Sequence, residues 1–288
     1  MTDFLEQVIA ERRADVAVAK AATSEEELLS AAKDNLHSAR RGRGVTPVSP
    51  GHDAFTYAVW RAPGRLAVIA EIKRLSPSQG VLLADADPAT IARWYVEAGA
   101  SAISVLTEPN HWGGSLRDLA AVRDAVRVPI LCKDVIVDEF QIVQARSAGA
   151  DAVLLIAEAL SDEELRGFIA RASALGMGVL VEAHEPVAFG RAVATRAPVV
   201  GVNARNLRRP REIDIGRVRQ LHTFVDQHQR LVAESGITTV EDARLLPQRV
   251  SAVLIGSALM LADDPRPLIR GIAGIDPRPA SLDAKVLR

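Results

Sequence analysis

The sequence predicts an α/β protein, a single (β/α)8 TIM barrel with an N-terminal helical extension. Short apolar runs alternate with helix-patterned stretches eight times over about 220 residues, which is typical of right-handed βαβ units in a parallel sheet. The runs are rich in Val and Ile without polar alternation, as expected of strands buried on both faces. Eight units favour a closed barrel over an open doubly wound sheet, which more often has five or six strands.

The predicted elements follow in chain order. An N-terminal helical region covers roughly 3–35, and a Pro- and Gly-containing segment over 44–65 joins it to the barrel. The predicted strands are Leu66–Ile72, Ala102–Leu106, Pro129–Cys132, Ala152–Ile156, Gly178–Val181, Val199–Val202, Leu231–Ala233 and Ala252–Ile255. Helix-patterned stretches between them are Pro88–Ala98, Ser115–Val126, Glu139–Ala148, Asp162–Leu175 and Val187–Thr195. We therefore divide the chain into an extension with its connecting loop (1–65), a catalytic barrel (66–275) and a tail (276–288).

Composition and charge exclude several classes of function. The formal net charge is -1, which gives no long-range attraction to nucleic acid, and the basic cluster at 40–43 is too short to change this. No apolar run approaches the roughly 20 residues of a membrane-spanning helix. A single cysteine, Cys132, allows no intrachain disulfide and gives no zinc pattern. With an acidic N-terminus that lacks a signal-peptide core, these features predict a cytoplasmic protein.

Charged residues stand where the first strand ends. Glu71 and Lys73 follow a buried apolar run and are two residues apart, so their side chains leave the strand on the same face. An unpaired charge buried there would cost on the order of several kcal/mol of free energy, because it would lose its hydration without gaining a partner. Taken alone, the pair is as consistent with a structural ion pair as with part of a functional site.

Polar residues also follow most of the other predicted strands. Active sites of such barrels form at the C-terminal ends of the strands, so we expect these residues to share one mouth. They are Ser104, Thr107 and Glu108; Lys133 and Asp134; Glu182 and His184; Asn203 and Arg205; Glu234 and Ser235; and Gly256 and Ser257. The last two loops, Ser235-Gly236-Ile237 and Ile255-Gly256-Ser257, offer glycines and backbone N–H groups where barrels commonly bind phosphate. A phosphorylated small-molecule substrate is therefore predicted.

In these segments the chain resembles the indole-3-glycerol phosphate synthases of tryptophan biosynthesis. The matching runs, in order along the barrel, include Glu71-Ile72-Lys73 with Ser76-Pro77-Ser78, Lys133-Asp134, Leu180-Val181-Glu182-Ala183-His184, Gly201-Val202-Asn203-Ala204-Arg205, Glu234-Ser235-Gly236-Ile237 and Ile255-Gly256-Ser257-Ala258-Leu259-Met260. The Glu-x-Lys-x-x-Ser-Pro-Ser segment is specific, whereas some of the other runs occur generally in phosphate-binding barrels. The resemblance implies a carbon-carbon lyase that closes the indole ring with loss of CO2 and water.

The resemblance also implies a role for each site residue. Lys133 would be the general acid of ring closure, helped if burial and nearby cations lower its pKa, and Glu182 the acid or base of dehydration. Lys73 would hold an anion or act as a second acid. The remaining catalytic residues are Glu71, Asn203 and Ser235, and the binding residues are Ser76, Arg205, Glu234, Gly236, Gly256 and Ser257. No metal or organic cofactor is implied.

Other residues have weaker claims, and alternatives stay open. A lone His184 is more often structural, Cys132 is expected to be buried and inert, and Asp134 to cap a turn. Val135 stands where the family usually has Phe, so an aromatic wall for the substrate ring is reduced. Phosphoribosylanthranilate isomerase, a related phosphate-binding barrel, and a silent partner subunit are the alternatives. Other tryptophan-pathway enzymes are candidate partners of a monomer or weak homo-oligomer.

Overall fold

Eight parallel strands close into a barrel in the computed structural model, which describes residues 3–32, 53–60, 66–85 and 87–275. The strands are β1 (Ala67–Ile72), β2 (Ala102–Leu106), β3 (Ile130–Lys133), β4 (Ala152–Ile156), β5 (Gly178–Ala183), β6 (Val199–Asn203), β7 (Arg230–Glu234) and β8 (Val250–Ile255). Each strand pairs with its neighbours in the sequence, and β8 pairs with β1 to complete the ring. The predicted (β/α)8 barrel is confirmed.

Several strands run further than the apolar pattern predicted. β3 includes Lys133, β5 includes Glu182, β6 includes Asn203 and β7 ends at Glu234. The reason is that a parallel ladder continues through polar residues as long as the backbone groups pair: Lys133 lies opposite Leu106, and Asn203 lies opposite Glu234. These polar side chains therefore stand on strands rather than on loops.

Successive strand residues face two separate hydrophobic cores. Ala67 and Ile69 point into the barrel, whereas Val68 and Ala70 pack against the surrounding helices. The same alternation in β3 and β5 turns Leu131 and Leu180 inward. Two residues further along these strands come Glu71, Lys133 and Glu182. Because the strand period is two, each apolar inward row ends in a charged side chain at the C-terminal mouth.

Helices cover the outside of the barrel. They are Pro88–Glu97, Leu116–Ala125, Glu139–Ser147, Asp162–Ala174, Pro186–Ala194, Arg217–Leu221, Val240–Arg244, Ser257–Met260 and Arg266–Ala273. The first five begin and end within one residue of their predicted bounds, and Gly99, Gly149 and Gly176 have the positive φ predicted for their caps. Among the described residues no helix has the length and apolar character needed to cross a membrane.

The N-terminal region contains two helices rather than one continuous stretch. Helix α1 (Phe4–Ala22) ends because Thr23 is extended, and a second helical stretch covers 25–32. A further helix, Ala54–Val59, buries Phe55 and Val59 at the N-terminal ends of the strands, where its Asp53 cap lies against Gly178. Residues 33–35, the basic cluster at 40–43, most of the 44–65 segment and the tail at 276–288 lie outside the described residues, so the domain boundaries stay predictions.

Candidate active site

A cavity of about 180 Å³ opens at the C-terminal ends of the strands. Eleven of the twelve predicted site residues line it, and Ser76 does not. The eleven are Glu71, Lys73, Lys133, Glu182, Asn203, Arg205, Glu234, Ser235, Gly236, Gly256 and Ser257. The barrel therefore brings together residues that are up to 186 positions apart in the chain (71 to 257).

Lys133 is held between two buried carboxylates. Its Nζ lies 2.7 Å from Oε2 of Glu182 and 2.9 Å from Oε2 of Glu234. Only 2% of the Glu182 side chain and 1% of the Glu234 side chain are exposed, whereas Lys133 keeps 11%. The lysine is thus the member of this group that retains access to the cavity.

The charges in this group shift one another's pKa. Burial by itself lowers the pKa of Lys133, but the negative charges of Glu182, Glu234 and Glu71 outweigh burial and raise it above the ordinary value. The expectation that burial and cations lower this pKa is therefore wrong for the protein without substrate, because its neighbours are carboxylates. The lysine is fully charged before substrate binds.

The two carboxyl groups beside Lys133 titrate in opposite directions. Burial raises the pKa of Glu182, but the Lys133 ammonium and hydrogen bonds with Glu234, Lys133 and Asn203 outweigh burial and lower it. Burial and the charge of Glu182 raise the pKa of Glu234 well above that of an ordinary glutamate. Glu182 is thus the anionic member of the pair, and Glu234 the one that more readily holds a proton.

Glu71 forms a second ion pair, and its partner is Lys73 rather than Lys133. Oε1 of Glu71 lies 2.9 Å from Nζ of Lys73, and both side chains are nearly buried. The pair lies on Gly256 so closely that a Cβ there would be 2.3 Å from Oε1 and 2.9 Å from Nζ. Lys73 is therefore at the end of the cavity formed by the loop after β8.

Asn203 and Ser235 are linked across the ends of β6 and β7. The Ser235 hydroxyl donates to Oδ1 of Asn203 over 2.9 Å, and the same oxygen accepts the backbone N–H of Arg205 over 3.0 Å. Both bonds occupy the amide oxygen, and the Asn203 side chain also hydrogen-bonds to Glu182, which leaves the NH2 group as the donor to that carboxylate. Ser235 and Gly236 both have positive φ, 65° and 77°, so the loop turns sharply at the cavity wall.

Arg205 joins two loops at the rim of the cavity. Its Nη1 lies 2.6 Å from the hydroxyl of Ser78 and also donates to the carbonyl of Pro210. Ser76 is buried in a short hairpin (Leu75–Ser76 with Gly80–Val81), where its hydroxyl is 3.1 Å from that of Ser78. Ser76 therefore reaches the site only through neighbouring residues in this structure, and its phosphate role stays a prediction.

Comparison with known proteins decides the family. The sequence matches the family described as indole-3-glycerol phosphate synthase over residues 5–272. A protein of that name from a Nocardioides species is 44% identical over 273 residues, which are 94% of this chain and 98% of the relative. The chain belongs to the indole-3-glycerol phosphate synthase family. Another relative of the same name, from a Parafrankia species, is 43% identical over 96% of this chain and 97% of its own length.

Solved structures resemble the fold at low sequence identity. The 3-hexulose-6-phosphate synthase of Salmonella typhimurium is 20% identical with a TM-score of 0.57, over 73% of this chain and 98% of that one. The tryptophan synthase alpha subunit of Legionella pneumophila is 12% identical with the same TM-score, over 81% and 100% of the two chains. These likenesses support the barrel fold only.

The apolar side of this family member's cavity was largely missed from the sequence. Trp112, Val135, Leu154 and Leu207 line it together. Val135 is 4% exposed and packs in the inner core with Leu154. The sequence marked Val135 but gave no signal for the two leucines. Leu154 lies within β4 and Leu207 in the loop after β6, and an apolar residue at either place looks like any other core residue.

The residues with weaker claims occupy separate positions. His184 is buried and outside the cavity lining, with Nδ1 2.8 Å from the carbonyl oxygen of Asn203. Burial raises the pKa of the Cys132 thiol to about 12, so the thiol stays protonated. Glu108 accepts the backbone N–H groups of residues 110–112 and thereby shapes the loop that carries Trp112. Asp134, expected to cap a turn, accepts the backbone N–H of Val135 and also forms a buried ion pair with Arg12.

Proposed function

We propose that this cavity converts 1-(2-carboxyphenylamino)-1-deoxyribulose 5-phosphate into indole-3-glycerol phosphate, CO2 and water. A carbon-carbon bond forms between the substrate carbonyl carbon and the ring carbon that bears the carboxylate. The carboxylate then leaves as CO2, and the hydroxyl made from the carbonyl leaves as water. The observation that carries the proposal is a charged, cavity-facing Lys133 flanked by Glu182 and Glu234, in a member of this family.

Lys133 is the proposed general acid. As the ring closes, its ammonium donates a proton to the carbonyl oxygen, where negative charge would otherwise develop. Its raised pKa keeps the proton in place until the substrate oxygen arrives. Glu182 is the acid or base of the dehydration, and its lowered pKa favours the base in the protein without substrate.

The other residues are proposed to bind the two anionic ends of the substrate. Gly236, Gly256 and Ser257 are the phosphate ligands, with Ser76 added if its loop moves. Arg205 grips the carboxylate, since its planar fork fits two oxygens. The contact of Lys73 with Gly256 favours an anion clamp on the phosphate side over a second acid. Asn203 and Ser235 orient the reacting centre.

The two alternatives carry less support. An isomerase of the phosphoribosylanthranilate type would not account for two lysines and the Glu71–Lys73 pair at the strand ends. A silent partner subunit would not need the complete set of proposed acid, base and anion ligands. A cytoplasmic location, a monomer or weak homo-oligomer, and contact with other tryptophan-pathway enzymes stay predictions.

The test is direct turnover. The purified chain is incubated with the carboxyphenylamino-deoxyribulose phosphate, and indole fluorescence is followed against a Lys133→Ala control. Product from the wild-type chain and none above background from the variant is the expected result. Equal traces from the two proteins would overturn the lyase assignment, and isomerisation of phosphoribosylanthranilate by the same preparation would establish the isomerase instead.

A further inference from the structure

Arg12, on the N-terminal helix, pairs with Asp134, the residue that follows the end of β3. Its Nε lies 2.9 Å from Oδ1 and its Nη2 lies 3.1 Å from Oδ2 of that carboxylate. The two residues are 122 positions apart, and Arg12 is 9% exposed and Asp134 7%. A two-point guanidinium–carboxylate pair fixes the orientation of the carboxylate as well as its position.

Asp134 also binds groups from two strands. Its Oδ2 accepts the Thr107 hydroxyl at the end of β2 over 2.7 Å, and its Oδ1 accepts the backbone N–H of Val135 over 2.8 Å. One buried carboxylate thus ties helix α1, β2 and the backbone that follows β3. Asp134 is the residue immediately after Lys133, so this junction holds the end of the strand that carries Lys133.

Arg12 can influence the chemistry only indirectly. Among the described residues, none from helix α1 lines the catalytic cavity, whereas Asp134 does. Helix α1 has other attachments as well: Lys20 Nζ lies 2.7 Å from Asp138, and Glu11 lies 2.7 Å from the His111 ring. The buried apolar side chains of Leu5 and Val8 anchor it further. The helix is therefore attached through several contacts, and Arg12 differs from the others named here in that its partner, Asp134, is adjacent to Lys133 and lines the cavity.

We propose that Arg12 is a positioning residue for the synthase reaction: through Asp134 it fixes the end of β3 so that Lys133 points between Glu182 and Glu234. This rests on the proposed role of Lys133 as the acid. Proton transfer requires the donor at hydrogen-bond distance from its target, and a displacement of about 1 Å can cost about 100-fold in rate. Loss of Arg12 should therefore slow the chemical step more than it weakens substrate binding.

The test compares Arg12→Lys and Arg12→Met with Lys20→Met in the full chain. Lys20→Met removes another ion pair of the same helix, one made to Asp138 at the start of the helix Glu139–Ser147 rather than to the residue next to Lys133, and is the matched control. Steady-state kinetics and thermal unfolding are measured for all three variants. Arg12→Lys, which keeps the charge but not the two-point geometry, should lower kcat about tenfold or more with KM changed by less than about threefold. Lys20→Met should keep kcat within about twofold of wild type.

Three results would overturn the proposal. They are an Arg12→Lys kcat within about twofold of wild type, equal losses in Arg12→Lys and Lys20→Met, and a loss confined to KM. If Arg12→Met fails to fold, the lysine variant alone decides, because it keeps the buried charge balanced. Lys133→Ala is measured in the same series. If that variant retains turnover, the acid has been misassigned, which is distinguishable from a failure at Arg12.

Discussion

The ammonium of Lys133 lies 2.7 Å from the carboxylate of Glu182, and the glutamate is almost completely withdrawn from solvent. A pair in this geometry can exchange a proton without water between the two groups. A single substitution removes the charge of either member, so kinetic measurements can separate the role of the lysine from that of the glutamate.

Glu182→Gln should reduce kcat by a factor of about 100 to 10,000, the range for loss of a general acid or base. KM should change by only a few fold, since the amide keeps the shape and one hydrogen bond. Steady-state indole fluorescence measures both parameters. Glu163→Gln, on an exposed helix position, is the control and should behave as wild type. A variant that binds substrate poorly but turns over at the normal rate would contradict the acid–base role.

Glu234→Gln should change how stability depends on pH. Because the folded pKa of Glu234 is raised, its stabilising contribution is fully present below the unfolded pKa and is lost as the pH rises toward the folded value. The stability of wild type relative to the variant should therefore fall as the pH rises above the ordinary pKa of a glutamate, by up to about 1.4 kcal/mol per pH unit. Denaturant unfolding measures the difference. Parallel pH curves for the two proteins would show that this carboxyl is not perturbed.

Gly256→Ala should impair catalysis by displacing the Glu71–Lys73 pair. The added Cβ would lie 2.3 Å from Oε1 of Glu71, so the carboxylate has to move. We expect kcat/KM to fall about tenfold or more, mostly through a higher KM for the phosphorylated substrate. Kinetics at several substrate concentrations separate the two parameters, and unchanged kinetics would show that the ion pair moves without consequence.

Gly190→Ala is the matched control and is itself a prediction. Gly190 lies in an exposed part of the helix Pro186–Ala194, and a Cβ there meets no atom within 4 Å. Alanine is the better helix former, so the free energy of unfolding should rise by about 0.5–1 kcal/mol with activity unchanged. A loss of stability in denaturant unfolding would contradict this account of the helix.

Arg205→Gln should raise the KM of the substrate about tenfold or more and affect kcat less. The substitution removes the proposed carboxylate ligand, and hydrogen bonds to charged groups contribute about 1.5–3 kcal/mol. Arg209→Gln, in the same loop but largely exposed and paired with Glu212, is the control and should leave KM nearly unchanged. Equal KM values in the two variants would remove Arg205 from the binding site.

Sequence pattern alone predicted the fold and the gathering of polar residues at the strand ends, whereas the roles of those residues were predicted from the family resemblance. Buried apolar runs at regular spacing define eight βα units, and a period of two along a strand places Glu71, Lys133 and Glu182 at the end of inward-facing rows. These are local rules, so they can be derived without knowing which parts of the chain meet.

Only the tertiary structure decided which charges pair. Glu71 contacts Lys73 rather than Lys133, and Lys133 contacts Glu182 and Glu234, so its pKa rises instead of falling. The Arg12–Asp134 pair had no sequence signal, because α1 is joined to the mouth by packing between distant segments. Distance and burial set the strength of a charge interaction, and both are properties of the closed barrel rather than of the spacing along the chain.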